Sequence, residues 1–184
     1  AVAAINEVVM HGHLGPVIER DVRLHQGTLC RGVAAKFEHL DAILEAGRWT
    51  GSSKNRQSWA IVVVQDRDQL DRLAECGDFM TPLRNAPTTL VPVRLSDGYD
   101  WDLGRLSQNI MLAAASFGIG SCPVTFHRAD DATAVLGVPD DHGARFGITL
   151  GYPDPEAERT GRARRTLSGR KGLDSLVMRE RFES

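Results

Sequence analysis

Gly51-Ser52-Ser53-Lys54-Asn55-Arg56-Gln57-Ser58-Trp59 runs directly into Ala60-Ile61-Val62-Val63-Val64, and the junction of these two stretches decides how the chain is read. The second stretch is a short, continuous apolar run rich in β-branched residues, the pattern of a strand buried on both faces. The first packs hydroxyls and amides into a loop, groups that orient a polar ligand. A turn whose Ser and Asn side chains satisfy their own backbone explains the same residues on chemistry alone.

Upstream of the loop, Phe37, Leu40, Ile43 and Leu44 fall on one face of a helix that should end near Gly47. Before Phe37 no period is legible, because His11-Gly12-His13-Leu14-Gly15-Pro16 breaks any helix beginning at Ala3. Downstream of the strand, Asp66 and Gln69 have the spacing of a capping box ahead of Leu70, Leu73 and Ala74, with Gly77 as a stop. Thr88 to Leu95 reads as a second strand, in which Pro92 should lie at an edge or a bulge. Leu103, Leu106, Ile110, Ala114 and Phe117 predict a central helix over 101–117, buried on most sides beyond Ile110.

Gly118-Ile119-Gly120 leads to a short extended segment, Pro123 to Phe126, and then a helix from an Asp130 cap to Leu136, ended by Gly137 and Pro139. Phe146 to Leu150 is a further strand. Residues 154–170 are dense in charge and poor in large apolar side chains, a solvated loop or arm. A last short helix is expected from Leu173 to Phe182. Alternating strands and helices around a thick middle helix imply an α+β or α/β sandwich.

The chain of 184 residues, 42% hydrophobic, is expected to form a single domain over 1–184. Its 22 basic and 24 acidic residues leave a net charge of −2, which creates no global field for nucleic acid or an anionic membrane. Cys30, Cys76 and Cys122 are odd in number and far apart, which favours buried thiols in a reducing compartment over a disulfide framework. No apolar run is long enough to span a bilayer, and Ala1 to Met10 lacks the basic start of a signal peptide, so a cytoplasmic protein is expected.

Several motifs are set aside. Gly118-Ile119-Gly120 comes after a helix and lacks the third glycine of a dinucleotide fingerprint. Ser168-Gly169-Arg170-Lys171 has no partner motifs of a serine acylase, and no acidic or Cys cluster joins His11 and His13 as metal ligands. Cys122 reads as a small buried hydrophobe rather than a redox thiol.

Taken in order, several stretches resemble the nitroreductase family. Gly51 to Trp59 is similar to its Pro-Ser-Ser-x-Asn-x-Gln-Pro-Trp segment, with Gly51 and Ser58 in place of the prolines. Leu106-Ser107-Gln108-Asn109-Ile110-Met111-Leu112-Ala113-Ala114 resembles the family's central helix, and Gly118-Ile119-Gly120-Ser121 resembles the glycine-containing segment after that helix. Leu136-Gly137-Val138-Pro139, Leu150-Gly151-Tyr152-Pro153 and Arg170-Lys171-Gly172-Leu173 resemble its late-strand and basic C-terminal segments. The likeness runs from about Phe37 to Phe182.

The resemblance implies a mostly antiparallel β-sheet flanked by helices, in a homodimer that binds FMN in two shared sites. Ser52, Ser53 and Asn55 would reach the ribityl and phosphate part of a flavin held mainly by the partner chain, with Gln57 as a neighbour. Pro123, Val124 and Thr125 would pass beside the ring, with a backbone N–H near flavin N5. Arg170 and Lys171 would bind the phosphate, Arg as a fork and Lys as a point charge; a solvated basic turn explains the same pair. The chain departs from the family's Arg-x-Ser-x-Arg/Lys motif at Glu19-Arg20-Asp21-Val22-Arg23. There Arg23 stands in place of the ring cation, Glu19 replaces the phosphate Arg, and Arg20 or Arg31 is left as a substitute.

The implied activity is hydride transfer from NADH or NADPH through FMN to a small electron-poor acceptor, a quinone or nitroaromatic, with no catalytic side chain required. Three rivals remain: a flavin-binding or sensor-like member with little turnover, a flavin-cleaving or deazaflavin-associated enzyme of the same fold, and an unrelated α/β ligand-binding domain.

Overall fold

The structure, a computed structural model, describes residues 37–154 and 171–182. Strands β1 (Trp59–Val64), β2 (Thr88–Arg94), β3 (Gly120–Thr125) and β4 (Phe146–Gly151) pair antiparallel in one sheet of order β1-β2-β4-β3. Helices α1 (Phe37–Arg48) and α4 (Asp100–Ser116) cover one face, where Ile43, Leu106 and Ile110 pack with Leu90, Ile148 and Leu150. Helices α2 (Arg67–Ala74), α3 (Thr81–Asn85) and α5 (Ala129–Leu136) cover the other, where Leu70, Leu73, Leu83 and Ala132 meet Val91, Val93 and Val124. The expected α+β sandwich with a mostly antiparallel sheet is therefore the observed architecture.

The strand buried on both faces is β2, not β1. β1 is an edge strand with Ala60 and Val63 exposed in this chain. A continuous apolar run specifies a strand; its place in the sheet depends on distant partners. Pro92 lies in the central strand, yet at a break in pairing. From Leu90↔Ile148 to the bridge Arg94↔Gly143, β2 advances four residues while the opposing chain advances five. Arg94 exchanges both backbone hydrogen bonds with Gly143, at 2.8 and 2.9 Å, so the alternation turns the missing N–H of Pro92 toward this bulged gap.

Other expectations shift in detail. α1 continues through Gly47, where a Cβ would stand 3.1 Å from Ile110 Cγ1; the glycine allows α1 and α4 to cross closely. The Asp66 cap forms, accepting from Gln69 N at 2.9 Å, but the Gln69 side chain does not complete a capping box. It donates instead to Val135 O at 2.7 Å and ties α2 to α5. α4 is buried along one face only, with Trp101, Gln108 and Ala115 exposed. Asp130 lies in the first turn of α5, whose N-cap residue Arg128 makes no side-chain capping bond, and Gly137 ends the helix at φ 66° as expected. The segment from Leu173 to Phe182 is not a helix: a single 3-10 turn, Leu173–Ser175, precedes irregular chain, every residue of it exposed. With no apolar face buried, so short a segment gains too little to offset helix nucleation.

α3 is an element that sequence reading leaves out. It arises from Gly77, which does not stop a helix by a left-handed turn. Gly77 lets the chain press against β3, since a Cβ there would lie 2.8 Å from Thr125 O and collide with Met80 Cε. Replacing Gly77 by Ala should lower stability by about 1–3 kcal/mol, because backbone must move to make room; equilibrium urea unfolding measures it.

α1 ends in a clasp that sets the start of the following loop. Arg48 donates two hydrogen bonds to the Glu45 carboxylate, at 2.6 and 2.7 Å, and Trp49 Nε1 donates a third at 2.8 Å. These donors, Arg48 first and Trp49 second, hold the Glu45 carboxyl down at about 2, from an ordinary 4.5. A depressed carboxyl pKa contributes stability that is present in full above the unfolded value and is lost as pH falls through the folded one. Carboxyl-resolved NMR titration should place Glu45 at about 2; a value close to 4.5 would mean that the clasp does not form in solution.

Candidate functional site

Thr50 to Ser58 joins α1 to β1 as a polar loop, buried at Thr50 and largely exposed from Gly51 to Gln57, with an unusual backbone. Lys54, Asn55 and Gln57 all adopt left-handed φ, at 55°, 53° and 53°. Each such L-residue other than Asn costs about 1 kcal/mol or more relative to an ordinary conformation. The loop is held in this shape from inside and from its base. Ser52 Oγ accepts from Gln57 N at 2.9 Å, and Gln57 Nε2 donates to Asn55 Oδ1 at 3.1 Å. At the base, Arg105 Nη1 donates to Gly51 O at 2.7 Å and Asn109 Nδ2 to Thr50 Oγ1 at 2.9 Å, while Leu95 N reaches Ser58 O at 3.2 Å.

Arg105 and Asn109 carry no role in the sequence reading. Their signal is the four-residue spacing that sets two polar side chains on one flank of α4. Their bonds also divide the loop: Ser52 and Gln57 serve its internal structure, whereas the side chains of Ser53, Lys54 and Arg56 have no hydrogen-bond partner among the described residues. The self-satisfied turn thus describes half of the loop, and the other half presents unpaired polar groups to solvent.

Pro123, Val124 and Thr125 lie on β3, at the opposite edge of the sheet from β1. Phe126 N donates to Arg145 O at 2.9 Å in continuation of the β3–β4 register. Backbone groups alternate in direction along a strand. The N–H of Val124 therefore faces β4, and that of Thr125 faces out from an edge that is free among the described residues. Pro123 occupies an outward position too, where its missing N–H costs no ladder bond. Val124 points its side chain into the core, and Pro123 is exposed.

Within one chain these two groups cannot meet. Two strands separate β1 from β3, and three inter-strand steps span roughly 14 Å. Lys171 is exposed, without a hydrogen bond or ion pair among the described residues. Arg20, Arg23 and Arg170 lie outside the described residues, as do Glu19, Arg31, Cys30, His11 and His13, and the charged stretch beyond Asp154. Cys76 and Cys122 are buried; burial pushes the Cys76 thiol up, away from the reactive thiolate. No helix of the described residues is long and apolar enough to cross a membrane.

Known proteins share this fold and part of this sequence. A protein of Archaeoglobus fulgidus, provisionally named NADH dehydrogenase/NAD(P)H nitroreductase, is 31% identical over 132 residues, which are 66% of this chain and 76% of that protein. The NADPH-flavin oxidoreductase of Vibrio harveyi is 28% identical over 141 residues, 66% of this chain and 59% of that enzyme. The solved structure of the Vibrio harveyi NADPH:FMN oxidoreductase complexed with NAD+ has the same fold, with a TM-score of 0.77 at 23% identity over 92% of this chain and 79% of that one. The sequence pattern of the nitroreductase family matches residues 36–77 and 79–152, interrupted only at Asp78. With more than half of its 184 residues in that pattern, the chain belongs to the nitroreductase family.

Proposed function

We propose that the chain is a homodimeric, NAD(P)H-dependent FMN oxidoreductase that reduces an electron-poor acceptor of the quinone or nitroaromatic type. The observation that carries this reading is the placement of the two candidate half-sites at opposite edges of one sheet. Ser52, Ser53 and Asn55 from one chain can join Thr125 from another only across an interface between two copies. The surface suits such an interface. Trp101 is 77% exposed on α4, and Leu173, Leu176 and Phe182 of the C-terminal segment are exposed as well. Apolar area of this kind is the usual material of an interface core.

The donor set fits FMN. The unpaired hydroxyl of Ser53 and the loop cations Lys54 and Arg56 suit the ribityl and phosphate groups, and the loop takes its shape without ligand through Ser52 and Gln57. Lys171, with Arg170 beside it in sequence, offers a cation pair for the phosphate. The outward N–H of Thr125 is a donor for the ring edge, beside N5. Arg23 is the candidate for the negative charge gained near N1 and O2 on reduction, with Arg20 as its neighbour at the phosphate. FMN, when bound, would supply the hydride chemistry between NAD(P)H and the acceptor. The protein's share is to hold the ring, place donors where charge develops and keep an apolar slot open above it. A cytoplasmic location accords with this role.

The test is an absorption spectrum of the purified protein before and after anaerobic NADH or NADPH, together with its mass in solution. Yellow dimeric protein that bleaches supports the reading. Colourless protein that takes up no added FMN removes it, and yellow protein that neither nucleotide bleaches points to a binding or deazaflavin-associated role. Asn55→Gly keeps the left-handed backbone but deletes the amide, and should weaken FMN binding about fivefold. Lys171→Ala should weaken it roughly tenfold by removing a charge-assisted contact. Fluorescence titration of apoprotein with FMN reads both; unchanged affinity in the pair would overturn these assignments.

A further inference from the structure

Just past Thr125, on the same free edge of β3, the turn between α2 and α3 brings an aromatic side chain to the surface. Phe79 is 81% exposed and meets the His127 ring edge to face, with centroids 6.0 Å apart and planes at 66°. A large aromatic on an exposed turn is ordinarily loose; this turn is tied down. Gly77 abuts the Thr125 carbonyl, which faces out from the sheet on the side of the Thr125 N–H. Asp78 N donates to His127 Nδ1 at 3.2 Å. Arg128 N donates to Cys76 O at 2.9 Å, and its guanidinium donates to Glu75 O, to Gly77 O at 3.3 Å and to Asp78 Oδ1 at 3.0 Å.

Those bonds fix the backbone on either side of Phe79 and the ring of His127 against which it rests, so part of the ordering cost of this surface is met before any ligand arrives. His127, accepting at Nδ1, keeps its ring proton on Nε2, and that donor is free to point away from Asp78.

We propose that Phe79 and His127 form one wall of the acceptor slot and select flat, electron-poor ring acceptors. The Phe79 ring packs against the acceptor ring, and His127 Nε2–H donates to its carbonyl or nitro oxygen. This inference rests on the flavin reading above, which lays the ring beside Thr125. A compact inorganic oxidant such as ferricyanide offers no ring to Phe79, so the wall discriminates between the two kinds of acceptor.

The experiment uses FMN-loaded wild type, Phe79→Ala and His127→Phe. Equilibrium dialysis of 4-nitrotoluene against the oxidised proteins without reductant reads binding alone; steady-state assays with 1,4-naphthoquinone and with ferricyanide read selection. Phe79→Ala should raise both the Kd for 4-nitrotoluene and the KM for the quinone roughly threefold to tenfold, the worth of one aromatic pair. His127→Phe, which keeps a ring but loses both the Nε2–H donor and the Nδ1 acceptor for Asp78 N, should raise them about twofold to tenfold. FMN content and the KM for ferricyanide should stay as in wild type. Unchanged Kd and KM in proteins that hold FMN and bleach normally would overturn the wall alone. An equal rise for ferricyanide would overturn it as well, since the effect would then be general. Wild type that holds no FMN would remove the flavin reading and the wall with it.

Discussion

Leu103, Leu106, Ile110, Ala113 and Ala114 bury one face of α4 against the sheet and α1, and this single packing contact ties the separate parts of the molecule together. Each large side chain there contributes roughly 1.5–3 kcal/mol by leaving water. Gly47 lets α1 approach α4 closely, and the same helix carries Arg105 and Asn109 on its flank. The rigid core thus extends to the base of the loop 51–58. Without α4 seated on the sheet, Gly51 and Thr50 would lose their anchors, and the loop's strained backbone would be held only by its internal bonds and by Leu95 N to Ser58 O.

Strain and anchoring belong together in that loop. Left-handed Lys54 and Gln57 cost free energy, and the hydrogen bonds that Gln57 donates to Ser52 and to Asn55 offset part of it. The loop gains a fixed outward set of polar groups that bind without first being ordered. Family membership makes a cofactor the natural recipient, and the physical argument for preorganisation stands independently of that.

The sheet edges impose the second constraint. A free edge presents unpaired N–H and C=O groups, and proteins cover or use such edges rather than leave them bare. On β3, Pro123 removes one donor, the Gly77 turn approaches the Thr125 carbonyl, and the Thr125 N–H remains available. Among the described residues, an edge managed in this manner is blunted at Pro123 and keeps outward N–H groups at Ser121 and Thr125. The order β1-β2-β4-β3 then sets the Thr125 donor and the loop 51–58 on opposite sides of the same chain.

Local elements were legible without coordinates. The strand after Trp59, the helix after Asp66 and the long helix from Asp100 each announce themselves through a period or a cap set by near neighbours. The polar character of the loop 51–58, and its likeness to a family segment, were equally open to reading. Sequence could not reveal anything decided by pairing across many residues. An apolar run looks the same at an edge as at the centre, so β1 and β2 exchanged their expected burial. Gly77 looks like a helix stop until Thr125 is seen beside it, and Phe79 and His127 meet only because β3 ends where the α2–α3 turn lies. Composition and periodicity by themselves determined which residues form helices, strands and a polar loop, because those choices are made within one or two turns of chain. Only the tertiary structure decided which edge each group occupies and which N–H faces outward, because register and strand order are fixed by long-range burial and hydrogen bonding.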